Sequence, residues 1–379
     1  HNGAQCGYCT PGFVCALAGL AEDAKFNKVP LDDKHVKNAT TGNLCRCTGY
    51  EGIIEAGKDM DLTELAPLKE FFDDASIEKD LASLGNTSVT IKSAEKEAFL
   101  PGNLLEAIKA PAGAKLTAGA TDIGVLTNKG KYKQQRSMAL TNVSALYDIR
   151  EEKDCLLIGA QASFTQVEKA CTTLFPEFAK MLHIFASPQI KNAGTLVGNI
   201  VNASPIADTI PFLRVAEAEL AILGPEGERL VNINSFYKGG YKELDLKPGE
   251  IVTLVRIPKR GGRFKLYKVS KRRDMDISSV TFAVHYKLIV DEIESISFAF
   301  GGVGPTVLRL PILENMAKGQ MVDEVLFRTL SHELKNSFIP LSDVRGSSAY
   351  RMVVCKNLMM KFYDELKSEI DKVPVLSSI

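Results

Sequence analysis

Two close pairs of cysteine thiols stand near the start of the chain. Cys6 and Cys9 are spaced C-x2-C, 35 residues follow, and Cys45 and Cys47 are spaced C-x-C. Four thiolates in two pairs can hold one tetrahedral metal ion, or one [2Fe–2S] cluster with a pair on each iron. C-x-C is tighter than the about two to four intervening residues usual between zinc ligands. It suits a cluster in which neighbouring cysteines clasp one iron. Buried free thiols are the remaining reading.

The elements expected to position these thiols are helices. Thr10-Pro11 reads as a helix start, with Thr10 as N-cap and Pro11 at the first helical position, followed by Phe13, Val14, Leu17 and Leu20. Thr48-Gly49-Tyr50-Glu51 reads as a capping box leading into Ile53, Ile54 and Gly57. Each cysteine pair thus precedes a helix start, where backbone N–H groups and the positive dipole end favour an anionic cluster. Residues 1–62 are read as one small helical domain. Cys15, outside both pairs, is expected in the core like Cys155, Cys171 and Cys355.

A second segment able to do chemistry is Lys115-Leu116-Thr117-Ala118-Gly119-Ala120-Thr121-Asp122-Ile123-Gly124. An apolar strand ends in small residues and enters a helix at Thr121. Small residues let a backbone approach a pyrophosphate, and the helix start offers N–H donors. The segment is neither G-x-G-x-x-G nor a Walker loop, and a plain strand–helix turn fits it equally.

Around this segment, residues 87–259 mix short strands and helices in an α+β pattern rather than a βαβ repeat. Strands are expected at Ser88–Ile91, Lys115–Ala118, Met138–Val143, Cys155–Ile158, Glu219–Leu223 and Ile251–Arg256. Residues 263–370 give further strands, then helices at Asp323–Asn336 and Ser348–Leu366. Residues 63–86 read as an acidic linker or a solvated surface helix.

The cysteine segments themselves resemble a known family. Gln5-Cys6-Gly7-Tyr8-Cys9-Thr10-Pro11-Gly12-Phe13 and Gly42-Asn43-Leu44-Cys45-Arg46-Cys47-Thr48-Gly49-Tyr50 are similar to the second iron–sulfur domain of the molybdenum hydroxylases. That family includes xanthine dehydrogenase, aldehyde oxidoreductases and carbon monoxide dehydrogenase. The resemblance implies a helical bundle with Cys6, Cys9, Cys45 and Cys47 as ligands of a [2Fe–2S] cluster, and Gln5 near a molybdopterin cofactor held by a partner subunit. Members carry a plant-type ferredoxin domain upstream. Its C-x4-C-x2-C motif is absent from this sequence, so that domain is expected to be lost with the N-terminus or to lie on another chain.

Phe185-Ala186-Ser187-Pro188-Gln189-Ile190-Lys191-Asn192-Ala193-Gly194-Thr195-Leu196-Val197-Gly198-Asn199-Ile200, with Ala203–Asp208, resembles the second flavin loop of the same family. The implied fold is multidomain α+β. A two-subdomain FAD-binding domain of the vanillyl-alcohol oxidase and CO dehydrogenase flavoprotein type follows the cluster domain, and a C-terminal α+β domain with an antiparallel sheet closes over it. By this resemblance Leu116, Thr117, Ala118, Gly119, Ala120, Thr121, Asp122 and Ile123 line the FAD phosphates and ribityl chain, together with Thr195, Leu196, Val197, Gly198 and Asn199. Asp208 would accept hydrogen bonds from the flavin or ribityl group, and Phe185 would pack near the isoalloxazine. Ile184 stands where some relatives carry Trp. Lys268–Arg273 with Asp276, and Phe300–Thr306, resemble the C-terminal domain, and Arg309 is expected near the flavin edge.

Composition agrees with a globular protein and narrows its partners. The chain has 379 residues, 45% hydrophobic and 24% charged, with 46 basic and 46 acidic side chains. This excludes a disordered or fibrous protein and suggests about two or three domains. Eight cysteines are too few for a disulfide-dense secreted scaffold of this size. No membrane span or signal peptide is visible, so a cytoplasmic location is expected. Residues 251–273 hold nine Lys or Arg and no acid, which reads as a solvated strand face or a rim attracting anionic NAD. Nucleic acid is not expected, because the stretch is short and the chain neutral. The five histidines form no ligand spacing and no triad.

The resemblance implies an electron-transfer subunit with no catalytic acid or base of its own. Within the family its domain order is most similar to xanthine dehydrogenase small subunits. Electrons would pass from a molybdenum-binding large subunit through [2Fe–2S] to FAD, and on to NAD+ or oxygen, in a hetero-oligomer. An aldehyde, nicotinate or carbon monoxide oxidising relative is the alternative. An interaction module with vestigial cofactor sites is a lower one.

Overall fold

The computed structural model describes residues 1–72, 74–85, 87–109, 113–273 and 275–372. Of the expected linker, residues 73 and 86 lie outside the described residues. Two compact units emerge, His1–Gly85 with Ser187–Gln189, and Asn86–Ala186 with Ile190–Ile379.

The first unit is helical: α1 (Thr10–Asn27), α2 (Asp33–Thr40), α3 (Glu51–Lys58) and α4 (Asp74–Leu84). Phe13 and Leu20 of α1, Val36 of α2 and Ile53 of α3 are buried. The Asp32 carboxylate caps α2, accepting from the His35 N–H at 2.9 Å. Cys15 is exposed, contrary to the core placement expected. Two residues on from buried Phe13, it lies roughly 200° round the helix, on the opposite face.

In the second unit, β1 (Val89–Lys92), β2 (Glu97–Leu100), α5 (Leu104–Ala107), β3 (Lys115–Thr117), α6 (Thr121–Asn128) and β4 (Arg136–Ala139) come first. The strands form a sheet in the order β1-β2-β4-β3, parallel at its β2–β4 and β3–β4 pairs. The strand expected over Met138–Val143 stops at Ala139 and passes into 3-10 turns. Leu140, Val143 and Leu146 are all buried, and their spacing of three is the period of a 3-10 turn, not of a strand.

Next follow β5 (Ile149–Glu151), β6 (Cys155–Gly159), α7 (Phe164–Leu174), α8 (Pro176–Phe185), α9 (Pro188–Ala193), α10 (Leu196–Asn202), α11 (Thr209–Val215), β7 (Glu219–Gly224), β8 (Gly227–Asn232), α12 (Ile233–Phe236) and β9 (Ile251–Pro258). Their sheet runs β5-β6-β9-β7-β8, antiparallel throughout. Ser163 and Gln166 form a complete capping box at α7. Every residue of α11 is buried, as suits an almost wholly apolar helix. It packs against α8 and against the third sheet.

That third sheet comprises β10 (Arg263–Val269), β11 (Val280–Ile289), β12 (Glu292–Gly301) and β13 (Leu308–Arg309), antiparallel in that order. Helices α13 (Pro311–Ala317), α14 (Glu324–Ser337) and α15 (Ser348–Ile370) complete the chain. Phe282, Phe298, Phe300, Phe327 and Phe362, all buried, join sheet and helices in one core. Each such ring contributes up to about 3 kcal/mol by leaving water. The fold is thus the multidomain α+β arrangement expected, with a helical domain first.

Candidate functional site

The four clustered cysteines converge, but across the motifs. Cys6 and Cys47 bring their sulfurs to 3.6 Å. Cys9 and Cys45 are hydrogen-bonded neighbours, and both pack with Phe13, Ile53 and Tyr50. Two thiolates on one tetrahedral centre with bonds of 2.3 Å stand roughly 3.8 Å apart, so the outer pair already has the spacing for one iron. Among the described residues no group of three or more His, Cys, Asp or Glu side chains could hold a metal ion. The thiols are assembled two by two. In the structure the nearest sulfur neighbours therefore come from different motifs, Cys6 with Cys47 and Cys9 with Cys45. Cys45 turns into the small core while Cys47 stays exposed.

The local backbone explains this. Thr48 does not complete the expected capping box, because α3 starts from Tyr50 in a left-handed conformation (φ 72°) with no side-chain cap. The Thr48 hydroxyl instead lies 3.2 Å from Cys45 Sγ, and the Cys47 N–H points at the same sulfur at 3.4 Å. Thr48 first, then the N–H groups of Cys47 and Thr48, pull the Cys45 thiol down to about 6. The Tyr8 N–H lowers Cys6, whereas burial raises Cys9 and the Cys6 sulfur raises Cys47. At α1 it is Cys9, not Thr10, that occupies the cap position, again without a side-chain cap. The N–H groups beside the thiols come from the turns ahead of the two helices, Tyr8 for Cys6 and Cys47 with Thr48 for Cys45. Gln5 is exposed.

In the second unit the two flavin-type segments meet. Gly119 lies so close to the backbone of Ala193 and Gly194 that a Cβ there would strike the Ala193 carbonyl. Ala120, left-handed at φ 56°, starts α6 with no side-chain cap, leaving the N–H groups of Thr121, Asp122 and Ile123 without helical partners. Leu116 and Ala120 are exposed, Thr117, Ala118 and Gly119 half-buried. The Asn202 amide donates to the Asp122 carboxylate at 2.8 Å, tying the end of α10 to the first turn of α6. Thr195 caps α10 by accepting the Gly198 N–H at 3.0 Å. Leu196 and Val197 send their side chains into the core, while Gly198 and Asn199 stay half-buried. Within this flavin-loop-like segment residues 196–202 are helical, signalled by the Thr195 cap and the apolar Leu196, Val197 and Ile200.

Asp208 is buried and fully engaged. Lys268 Nζ donates to it at 2.5 Å and Ser278 Oγ at 2.5 Å. Burial raises its carboxyl, and Lys268 and Ser278 pull against that rise. Lys268 also donates to the Asp276 carbonyl at 2.8 Å. Sequence reasoning used Lys268 only to recognise the C-terminal domain and missed it as the partner of Asp208. Phe185, half-buried at the end of α8, has its ring 4.8 Å from Phe164, and the Ile184 carbonyl accepts the Met275 N–H at 3.1 Å.

Arg309 is not available to a flavin. Its guanidinium donates to Glu217 and to the Arg214 carbonyl, each at 2.7 Å, to Glu314 at 2.8 Å and to Ser297 at 3.1 Å. It anchors the C-terminal end of α11, whereas Asp208 precedes its first turn, roughly 10 Å away along the axis. The expected place near the flavin edge is corrected accordingly. The small-residue cradle at Gly119, the uncapped α6 and the half-exposed Gly198 together fit an extended, phosphate-bearing cofactor such as FAD. The paired thiols fit a [2Fe–2S] cluster.

Three family descriptions match successive parts of the chain. Residues 1–58 match a [2Fe-2S] binding domain, residues 97–260 the FAD binding domain in molybdopterin dehydrogenase, and residues 265–366 the CO dehydrogenase flavoprotein C-terminal domain. The chain belongs to the molybdenum hydroxylase family. It is an electron-transfer [2Fe–2S] and FAD component of that family. Xanthine dehydrogenase of Drosophila subobscura is 27% identical over 437 residues, covering 99% of this chain and 32% of the relative. Aldehyde oxidase 2 of Macaca fascicularis is 25% identical, covering 100% and 32%. The chain thus spans about a third of the length of the curated relatives it matches.

Among solved structures, quinoline 2-oxidoreductase from Pseudomonas putida 86 aligns with a TM-score of 0.65 at 22% identity, covering 70% of this chain and 94% of that one. CO dehydrogenase from Oligotropha carboxidovorans aligns with a TM-score of 0.66 at 23% identity, covering 73% and 98%. These likenesses are of fold. No helix among the described residues is long and apolar enough to cross a membrane.

Proposed function

We propose that this chain is the electron-transfer part of a molybdenum hydroxylase of the xanthine dehydrogenase type. In this reading a molybdenum-binding partner subunit oxidises the substrate, and NAD+ or oxygen is the final acceptor in a cytoplasmic hetero-oligomer. Xanthine is favoured over an aldehyde, nicotinate or carbon monoxide by the 27% identity to a xanthine dehydrogenase along almost the whole chain. We divide the chain into a cluster domain (1–62), a linker (63–86), an FAD domain (87–259) and a C-terminal domain (263–370).

When bound, the cluster supplies single-electron relay and FAD the conversion between one- and two-electron transfer. The chain's own residues place and hold these groups. Cys6, Cys9, Cys45 and Cys47 would ligate the irons. Thr48 and the nearby N–H groups keep the Cys45 sulfur as thiolate. Leu116 to Ile123 and Thr195 to Asn199 would carry the flavin phosphates and ribityl chain, and Phe185 would exclude water beside the ring. Asp208, held by Lys268 and Ser278, fixes the loop that precedes α11.

The observation that carries this reading is the 3.6 Å approach of Cys6 and Cys47 from motifs 41 residues apart. The chain, reconstituted with iron, sulfide and FAD, is expected to show flavin bands with a broad iron–sulfur shoulder. NADH is expected to bleach the flavin, and the complete complex to lose flavin colour on adding xanthine. A chain that stays colourless refutes the cofactor assignment. Bleaching by an aldehyde and not by xanthine refutes the substrate.

A further inference from the structure

A cavity of about 520 Å³ opens at the junction of α7 and α8, beneath the turn that joins β9 to β10. Its size lies within the range of small-molecule sites, roughly 300–1,000 Å³. Phe185, at the far end of the ten-residue helix α8, is about 10 Å along the helix axis from Phe178, the last residue of α8 that lines the cavity, so the flavin-type loops are a separate site.

The floor is aromatic. Phe178 stacks on Phe212 at 4.1 Å, and Phe264 packs on Phe212 at 5.2 Å and on Phe175 at 6.1 Å. The rim is basic, with Lys259, Arg260, Arg263 and Lys265 facing two carboxylates, Glu177 and Glu369. Most of these cations are already paired: Lys259 with Glu151 at 2.6 Å, and Arg263 and Lys265 with Glu369 at 3.0 and 2.6 Å. Arg260 differs. Its guanidinium donates to the Val215 carbonyl at 3.2 Å, and among the described residues it forms no ion pair. The turn that presents it is held by buried His285, whose Nε2 lies 2.9 Å from the Gly261 carbonyl and whose ring lies 4.7 Å from Phe264. A guanidinium with unused donors, held over an aromatic floor, recognises a planar anion by bidentate hydrogen bonds while the floor takes up an apolar body.

We propose that this cavity binds an anion with a flat apolar body, of the aryl carboxylate or aryl sulfonate class, with Arg260 as its charge partner. The ligand's acid group meets the Arg260 fork at the rim, and its ring lies against Phe264 and Phe175.

The test is a fluorescence titration of the full chain, saturated with FAD, with 1-anilinonaphthalene-8-sulfonate at low salt. One saturable site is expected, displaced by benzoate. Arg260→Glu should weaken binding at least tenfold and Arg260→Lys by less, because an ammonium keeps the charge and loses the fork. Arg260 is exposed, so both variants should melt at the parent temperature. Should Arg260→Glu lower the melting point, Arg260→Gln takes its place. No saturable binding, or equal affinity in the parent and the charge-removing variant, overturns the proposal. A chain that fails to take up FAD still reports the Arg260 dependence, so the outcome is separable from the cofactor assignment.

Discussion

Replacing Lys268 by Met removes one half of a buried ion pair and makes a severe test of how the second unit is held together. The Lys268 and Asp208 side chains are 2% and 5% exposed, with 2.5 Å between charged atoms. Without the ammonium, Asp208 keeps Ser278 as donor but has no counter-charge. Breaking a buried pair in this way costs about 3–5 kcal/mol, because the remaining charge stays desolvated. At about 1–3 kcal/mol per molar for urea, the unfolding midpoint of Lys268→Met should fall by at least about 1 M. The double variant Lys268→Met with Asp208→Asn removes both charges and should recover a large part of the loss. Acid should also rescue the single variant. Its Asp208 carboxyl, raised by burial and relieved of Lys268, has a folded value above its unfolded one. The penalty is then full above the folded value and fades as pH falls through it. The assay is urea unfolding followed by circular dichroism at pH 7.5 and pH 5, since the chain has no tryptophan. A single variant that loses less than about 1 kcal/mol, or a double variant no better than the sum of the singles, would refute the reasoning.

Three further outcomes are expected. Cys45→Ser should abolish the iron–sulfur absorbance and leave FAD bound; equal loss of FAD would contradict separate cofactor sites. Gly119→Ala places a Cβ against the Ala193 carbonyl and should weaken FAD at least tenfold, read by flavin fluorescence, with the thermal midpoint of the cluster domain unchanged. His285 is buried, with its imidazole lowered to about 4, below an unfolded value near 6.5. Its stabilising contribution is full above about pH 6.5 and is lost progressively as pH falls from there to about 4. The total is about 3 kcal/mol, checked by melting His285→Gln beside the parent at pH 7.5 and 4.5.

What the sequence discloses depends on whether the signal is local. The cysteine spacing and the Ser348 to Leu366 helix lie within short windows, and each needs no knowledge of what packs against it. Thr48 shows the limit. Its position three residues before Glu51 has the form of a capping box, but the hydroxyl has two possible partners, and in the folded chain the Cys45 sulfur takes it. The crossing of the thiol pairs depends on which cysteine turns inward, which is fixed by Phe13 and Ile53, far apart in sequence. Arg309 carried a flavin role by resemblance alone; its acid partners Glu217 and Glu314 come together only when β13 meets the end of α11. Lys268 was legible as a basic residue in a basic stretch, while its burial against Asp208 was not.

The crossed thiol pairing also bears on how the first unit survives partial damage. Were each motif to grip its own iron, the two ends would be joined only through the bridging sulfides, and losing either iron would open the ring. With Cys6 beside Cys47 and Cys9 beside Cys45, an iron bound by either pair would by itself span the gap between the motifs. Either one would be a fastener across about 40 residues of chain, a cross-link that by loop-closure arithmetic would be worth about 4 kcal/mol. For a unit whose core rests on a handful of side chains such as Phe13, Leu20, Val36 and Ile53, that is a large share of its cohesion. With a cluster so held, the arrangement would be redundant in the engineering sense: the seam would stay shut until the second metal left.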